Sequence, residues 1–125
     1  MTIAKNNKPT ESELEILQVL WNRQPATVRD VHEELLKTKE AGYTTTLKLM
    51  QIMFEKGLVT RDSSNKTHIY ETVVTREKTQ NLFVSKMIDS LFSGSPAQLV
   101  IQALGNHKAS KEELDEIRTY LESIK

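Results

Sequence analysis

Cysteine is absent from this 125-residue chain. Without a thiol there is no disulfide, no thiolate metal site and no cysteine nucleophile, and the absence fits a reducing cytoplasm. Glycine is scarce, with four residues, Gly42, Gly57, Gly94 and Gly105, each at a helix end or a connector. That leaves no glycine-rich phosphate loop and no nucleophile elbow. The three histidines, His32, His68 and His107, fall in separate segments, and none has another histidine three or four residues on. They read as surface or groove-lining residues rather than as ligands or an acid–base pair. No apolar run approaches the roughly 18 residues of a membrane span. The polar start, MTIAKNNKPTESE, carries no hydrophobic core of a signal peptide. The expectation is a cytoplasmic protein that is not an enzyme and uses neither metal nor cofactor.

Net charge is missing as well: 17 basic residues face 17 acidic ones. Phosphate binding rewards a basic surface, yet residues 1–74 hold 10 basic and 10 acidic side chains and residues 75–125 hold 7 and 7. One local surplus exists. Between Gly42 and Lys66, the basic Lys48, Lys56, Arg61 and Lys66 outnumber Glu55 and Asp62 by two. Binding to nucleic acid would therefore depend on where side chains are placed, not on bulk charge.

The sequence does carry helix signals. In PTESELEILQVLWNR, Thr10 and Glu13 have capping-box spacing, and Leu14, Leu17, Leu20 and Trp21 recur on one face. Pro25 ends that segment. Thr27 then caps a second helix with Val28, Val31, Leu35 and Leu36 turned inward. A third helix is expected from about Thr44 to Lys56, with Gly57 as a left-handed cap. Spacing residues about 100° apart puts Thr44, Lys48, Gln51 and Glu55 together, with Leu49, Met50 and Met53 opposite. Leu47, Ile52 and Phe54 fall on the flanks. Residues 58–61 and 67–73 are rich in β-branched side chains, and Asp62-Ser63-Ser64-Asn65 supplies the turn of a hairpin. Three helices and a hairpin form the winged helix-turn-helix plan, so 1–74 is expected to be a winged-helix DNA-binding domain.

The remainder, 75–125, reads as all helical. One helix opens at Thr75 and carries Leu82, Phe83, Met87, Ile88 and Leu91. A second starts at Ser95-Pro96 and stops at Gly105. A third is capped by Ser110 and Glu113 and spaces Leu114, Ile117, Leu121 and Ile124 at three, four and three. Short amphipathic helices of this kind make a poor isolated core. Burial against a second copy solves the problem, so a helical dimerisation region is expected, with Leu99, Leu104, Leu114, Ile117 and Leu121 in the interface. The fold class is mainly α with a small β-hairpin wing.

The third helix is the candidate reader of DNA. It opens with Thr44, Thr45 and Thr46, whose hydroxyls and N-terminal N–H groups suit phosphate oxygens. Lys48 and Gln51 are types that read guanine and adenine edges, and Leu47 suits a thymine methyl or plain packing. Arg61 on one hairpin arm and Lys66 at its turn are expected to reach the adjacent backbone or minor groove. Most polar helix faces simply meet water; the hydroxyls and the hairpin lower that reading here.

YTTTLKLMQIMFEKGLVTRD, residues 43–62, resembles the recognition helix and first wing strand of the BlaI/MecI-type bacterial repressors, the penicillinase-repressor family. PTESELEILQVLWNRQPATVRDV resembles that family's first two helices, including Trp21, and the tail from Ser95 resembles its dimerisation region. The likeness implies a homodimeric transcriptional repressor on a palindromic double-stranded DNA operator. It also implies a membrane-bound sensor protease acting upstream to trigger cleavage in the C-terminal region. The family's cleaved bond is typically Asn–Phe, and the matching position here is Gln102–Ala103. Members acting on β-lactam resistance operators commonly carry a basic residue where this chain has Leu47. The copper-responsive branch uses cysteines, which are missing. The alternatives are a winged-helix module for protein–protein contact and a regulatory domain without chemistry of its own.

Overall fold

The computed structural model describes residues 8–124. Residues 1–7, most of the polar start expected to carry no signal peptide, lie outside the described residues. The elements run α1 (Glu11–Asn22), α2 (Val28–Leu35), α3 (Tyr43–Glu55), β1 (Val59–Asp62), β2 (Ile69–Thr72), α4 (Arg76–Leu91), α5 (Pro96–Asn106) and α6 (Lys111–Ser123). The chain divides into two compact units between Gln80 and Asn81.

In the first unit, local chemistry starts the first two helices. Thr10 with Glu13, and Thr27 with Asp30, form complete capping boxes at α1 and α2. In each, the side-chain oxygens take up backbone N–H groups that the first helical turn leaves unpaired. Gly57, at φ 82°, closes α3. That left-handed step lets the Leu58 N–H reach back to the Met53 carbonyl at 2.9 Å and turns Leu58 into the core. The core gathers Ile16, Leu17 and Leu20 of α1, Val28, Val31 and Leu35 of α2, Met50 and Met53 of α3, and Leu58, Val59 and Tyr70 of the hairpin. Leu36, expected inward, is exposed. Leu36 keeps helical geometry, with its N–H on the His32 carbonyl at 3.0 Å, so it sits about 100° round the helix from Leu35 and off the buried stripe.

The hairpin is antiparallel with Val59 opposite Thr72 and Arg61 opposite Tyr70. A bridge that no sequence pattern signals extends it. Ala26, between α1 and α2, exchanges both backbone hydrogen bonds with Tyr70, at 3.1 and 2.8 Å. Gln24 adds to this by accepting from the Thr72 N–H at 2.7 Å. The wing is thereby fastened to the start of α2. Trp21 donates its indole N–H to the Val74 carbonyl at 2.9 Å, and Arg76 lies over the indole ring while donating to Asn22. These contacts hold the first turn of α4 to the first unit, where Thr79 is also buried.

In the second unit, Gly94, at φ 78°, separates α4 from α5. The Ser95 hydroxyl caps α5, and Ser110 with Glu113 forms the capping box of α6. Gly105 does not stop α5, which runs on through Asn106 and leaves helical geometry at His107. A glycine in a last, exposed turn weakens a helix by only about 1 kcal/mol, too little to fix its end. Neither α5 nor α6 contains a buried residue. Ile101 is 70% exposed and Leu121 55%. Leu99, Leu114 and Ile117 are half-buried, and Leu104 is exposed. Among the described residues no helix is long and apolar enough to cross a membrane.

Candidate nucleic-acid interface

α3 turns Thr46, Met50 and Met53 into the core and leaves Thr44, Thr45, Lys48, Gln51 and Glu55 exposed. The expected polar face is present. Its N-terminal end is unusual among the described helices. Thr10, Thr27, Thr75, Ser95 and Ser110 each accept a backbone N–H at the start of their helices, whereas Gly42 at α3 provides no side-chain acceptor. The first N–H groups of α3 are left without a side-chain cap, and such groups favour an anion.

Thr46 is a correction. It was expected with Thr44 and Thr45 as a phosphate-facing hydroxyl, but it is 1% exposed. Its hydroxyl donates to the Gly42 carbonyl at 3.3 Å and lies 3.4 Å from His32 Nδ1. Three successive residues on a helix span about 200°, so they cannot all face one way. Here the third turns inward and ties α3 to α2. His32 also meets the Tyr43 ring edge-to-face at 5.5 Å. Leu47 is half-buried and packs against the core cluster.

The other end of α3 is anchored to α1. Lys56 Nζ lies 2.6 Å from Glu13 Oε1, and Glu13 is only 2% exposed. The same Glu13 oxygen accepts the Thr10 N–H of the capping box. One carboxylate therefore starts α1 and fixes the end of the candidate recognition helix. No spacing in the sequence signals this, because the partners stand 43 residues apart.

The hairpin differs from the expectation in one side chain. The Arg61 guanidinium is stacked over the Phe54 ring at 4.1 Å, and its Nε is buried without a hydrogen-bond partner among the described residues. Arg61 pairs across the hairpin with buried Tyr70, so it lies on the strand face turned toward the protein body. It clamps the wing to α3 rather than projecting outward. Lys66, in the turn, is exposed as expected. Asp62 Oδ1 accepts the Ser64 N–H at 2.9 Å, and that bond holds the Asp62 carboxyl below the usual range.

Gln102 and Ala103 lie exposed within α5. Among the described residues no cluster of three His, Asp or Glu side chains is placed to hold a metal ion.

This arrangement of three helices and a hairpin coincides with a sequence match. A profile of the penicillinase repressor family matches residues 9–123. The chain is 28% identical over 127 residues to the transcriptional regulator BlaI of Mycobacterium tuberculosis, covering 98% of this chain and 88% of that one. It is 22% identical over 117 residues to the methicillin resistance regulatory protein MecI of Staphylococcus aureus, covering 94% and 95%. To the penicillinase repressor of Staphylococcus aureus it is 21% identical over 121 residues, covering 94% and 96%. The chain belongs to the penicillinase repressor family, whose members are transcriptional repressors and not enzymes.

Proposed function

We propose that the protein represses transcription as a cytoplasmic homodimer on a palindromic operator, with α3 in the major groove of each half-site. The observation that carries this reading is the exposed row Thr44, Lys48 and Gln51 on a helix whose uncapped N-terminus lies at the same end. Lys48 suits guanine O6 and N7, and Gln51 suits adenine. Glu55, further along that face, can accept from cytosine N4 and repels a phosphate, which keeps the C-terminal end of α3 off the backbone. The second unit supports dimerisation. Leu99, Leu104, Leu114, Ile117 and Leu121 lie on two helices with no buried residue, and a second copy provides the missing cover. Release by a membrane-bound sensor protease fits the exposed Gln102–Ala103 bond, since a cut there detaches α6. A bond inside a helix must first open locally.

Selection from random duplex DNA tests the reading. It should return an inverted repeat with half-sites about one helical turn, or a small multiple, apart. Affinity should fall steeply with salt as phosphate contacts release counterions. No inverted repeat, or salt-insensitive association with a protein partner instead, would overturn it.

A further inference from the structure

Moving Arg61 onto Phe54 removes one of the two cations expected to meet the DNA backbone, and the structure offers another. A groove of about 300 Å³ opens between the start of α2, the N-terminal half of α3 and the hairpin. Arg29, in the first turn of α2, borders it on one side, and Lys66, in the hairpin turn, on the other. Both are exposed, and neither has an ion-pair partner among the described residues. No acidic side chain lines the groove.

The neutral groups point the same way. Tyr43, Thr67 and His68 line the groove without hydrogen-bond partners among the described residues, and each can donate. Tyr70 adds a further donor. It is 1% exposed and lines the groove. Its backbone N–H and carbonyl are both spent on Ala26, and its hydroxyl has no partner among the described residues. The hydroxyl itself is not sealed in the core; it opens into the groove, where it can donate to a ligand. Two unpaired cations and a set of donors, with no carboxylate, match a ligand made of acceptors only. A phosphate group is such a ligand.

We propose that this groove is a phosphate-binding site, in which Arg29 and Lys66 grip one backbone phosphate of the operator and Tyr70, Tyr43 and Thr67 complete its hydrogen bonds. The proposal rests on the repressor reading above. It places the gripped phosphate beside Leu47, next to the exposed face of α3, where a strand flanking the major groove passes. Arg29 then does what the sequence assigned to Arg61, and the Ala26–Tyr70 bridge holds the two sides of the groove in register.

The experiment compares the full-length protein with Arg29→Ala, Lys66→Ala, the double variant and Tyr70→Phe on the selected operator across a salt series. Each cation variant should bind about tenfold more weakly on every sequence, with unchanged base preference. Each should also reduce the log–log salt slope by about one. Tyr70→Phe removes only the unpaired hydroxyl. It should weaken DNA binding severalfold and leave the melting temperature unchanged. A neutral methylphosphonate at the gripped position should erase the difference between Arg29→Ala and the parent. Wild-type affinity and slope in the double variant, with base preference still lost in Lys48→Ala, overturns the groove site and leaves the repressor reading standing. If no operator exists, inorganic phosphate titrated against the full-length protein decides the source. Shifts of Thr67 and His68 resonances that vanish in Arg29→Ala assign the groove to a free phosphate in place of DNA, and no shifts overturn the site.

Discussion

Thr46 and Lys48 stand two positions apart on α3 and do different work. Thr46 is buried, with its hydroxyl on the Gly42 carbonyl and beside His32, while Lys48 is exposed on the opposite face. Thr46→Val keeps the volume and removes the hydrogen-bonding group. It should lower stability by about 1–2 kcal/mol in a denaturant titration and leave base preference in a DNA selection intact. Lys48→Ala should do the reverse, with unchanged stability, about 1–3 kcal/mol less binding energy and relaxed preference at one base pair. A Thr46→Val variant with altered base preference and parental stability would return that residue to the DNA surface. This division was only half legible in the sequence. Helical periodicity put Lys48 and Gln51 outside and Met50 and Met53 inside, but a run of three threonines carries no apolar contrast to show which one turns in.

At the scale of elements, the capping rules located four helix starts, because an N-cap side chain and its partner lie within one turn of sequence. Contacts made at long range were invisible. The Ala26–Tyr70 bridge, the Arg61–Phe54 stack and the Glu13–Lys56 pair join segments whose chemistry looks ordinary until the core brings them together. The cap of α2 makes a prediction about pH. The Thr27 backbone N–H holds the Asp30 carboxyl below the usual range; burial opposes it in part, and the Thr27 hydroxyl and the charge of Arg23 add smaller lowering effects. The ionised form is thus favoured by folding. Its contribution is fully present above the ordinary carboxylate range and is lost as pH falls through the lowered folded value. Asp30→Asn should therefore lower the melting temperature at neutral pH and flatten the acid limb of the stability curve. Parallel curves for the variant and the parent would show that the carboxylate contributes nothing there.

For the whole molecule, the two units differ in what they can bury alone. The first surrounds a core from three helices and the hairpin, whereas α5 and α6 of the second contain no buried residue and leave Ile101, Leu104 and Leu121 exposed, as is Ile124 just after α6. Helices of 11 and 13 residues are marginal in water without packing, which is the cover that the proposed second copy would supply. Leu121→Asp separates association from the folding of the winged helix. In a single chain the site is largely in water, where a carboxylate costs little. In the proposed interface the same charge loses its hydration without a partner, and several kcal/mol oppose assembly. Sedimentation equilibrium should find a monomer, and thermal melting should retain the cooperative transition of the first unit while some helical signal from the second is lost. Binding to a duplex with one half-site should be unchanged, since α3 and the wing are untouched. Binding to the full palindrome should weaken by about 10²–10⁴-fold, because the second half-site is no longer presented at high effective concentration. An intact dimer in this variant would move the interface off α6, and an unchanged palindrome affinity would mean that one winged helix suffices for repression.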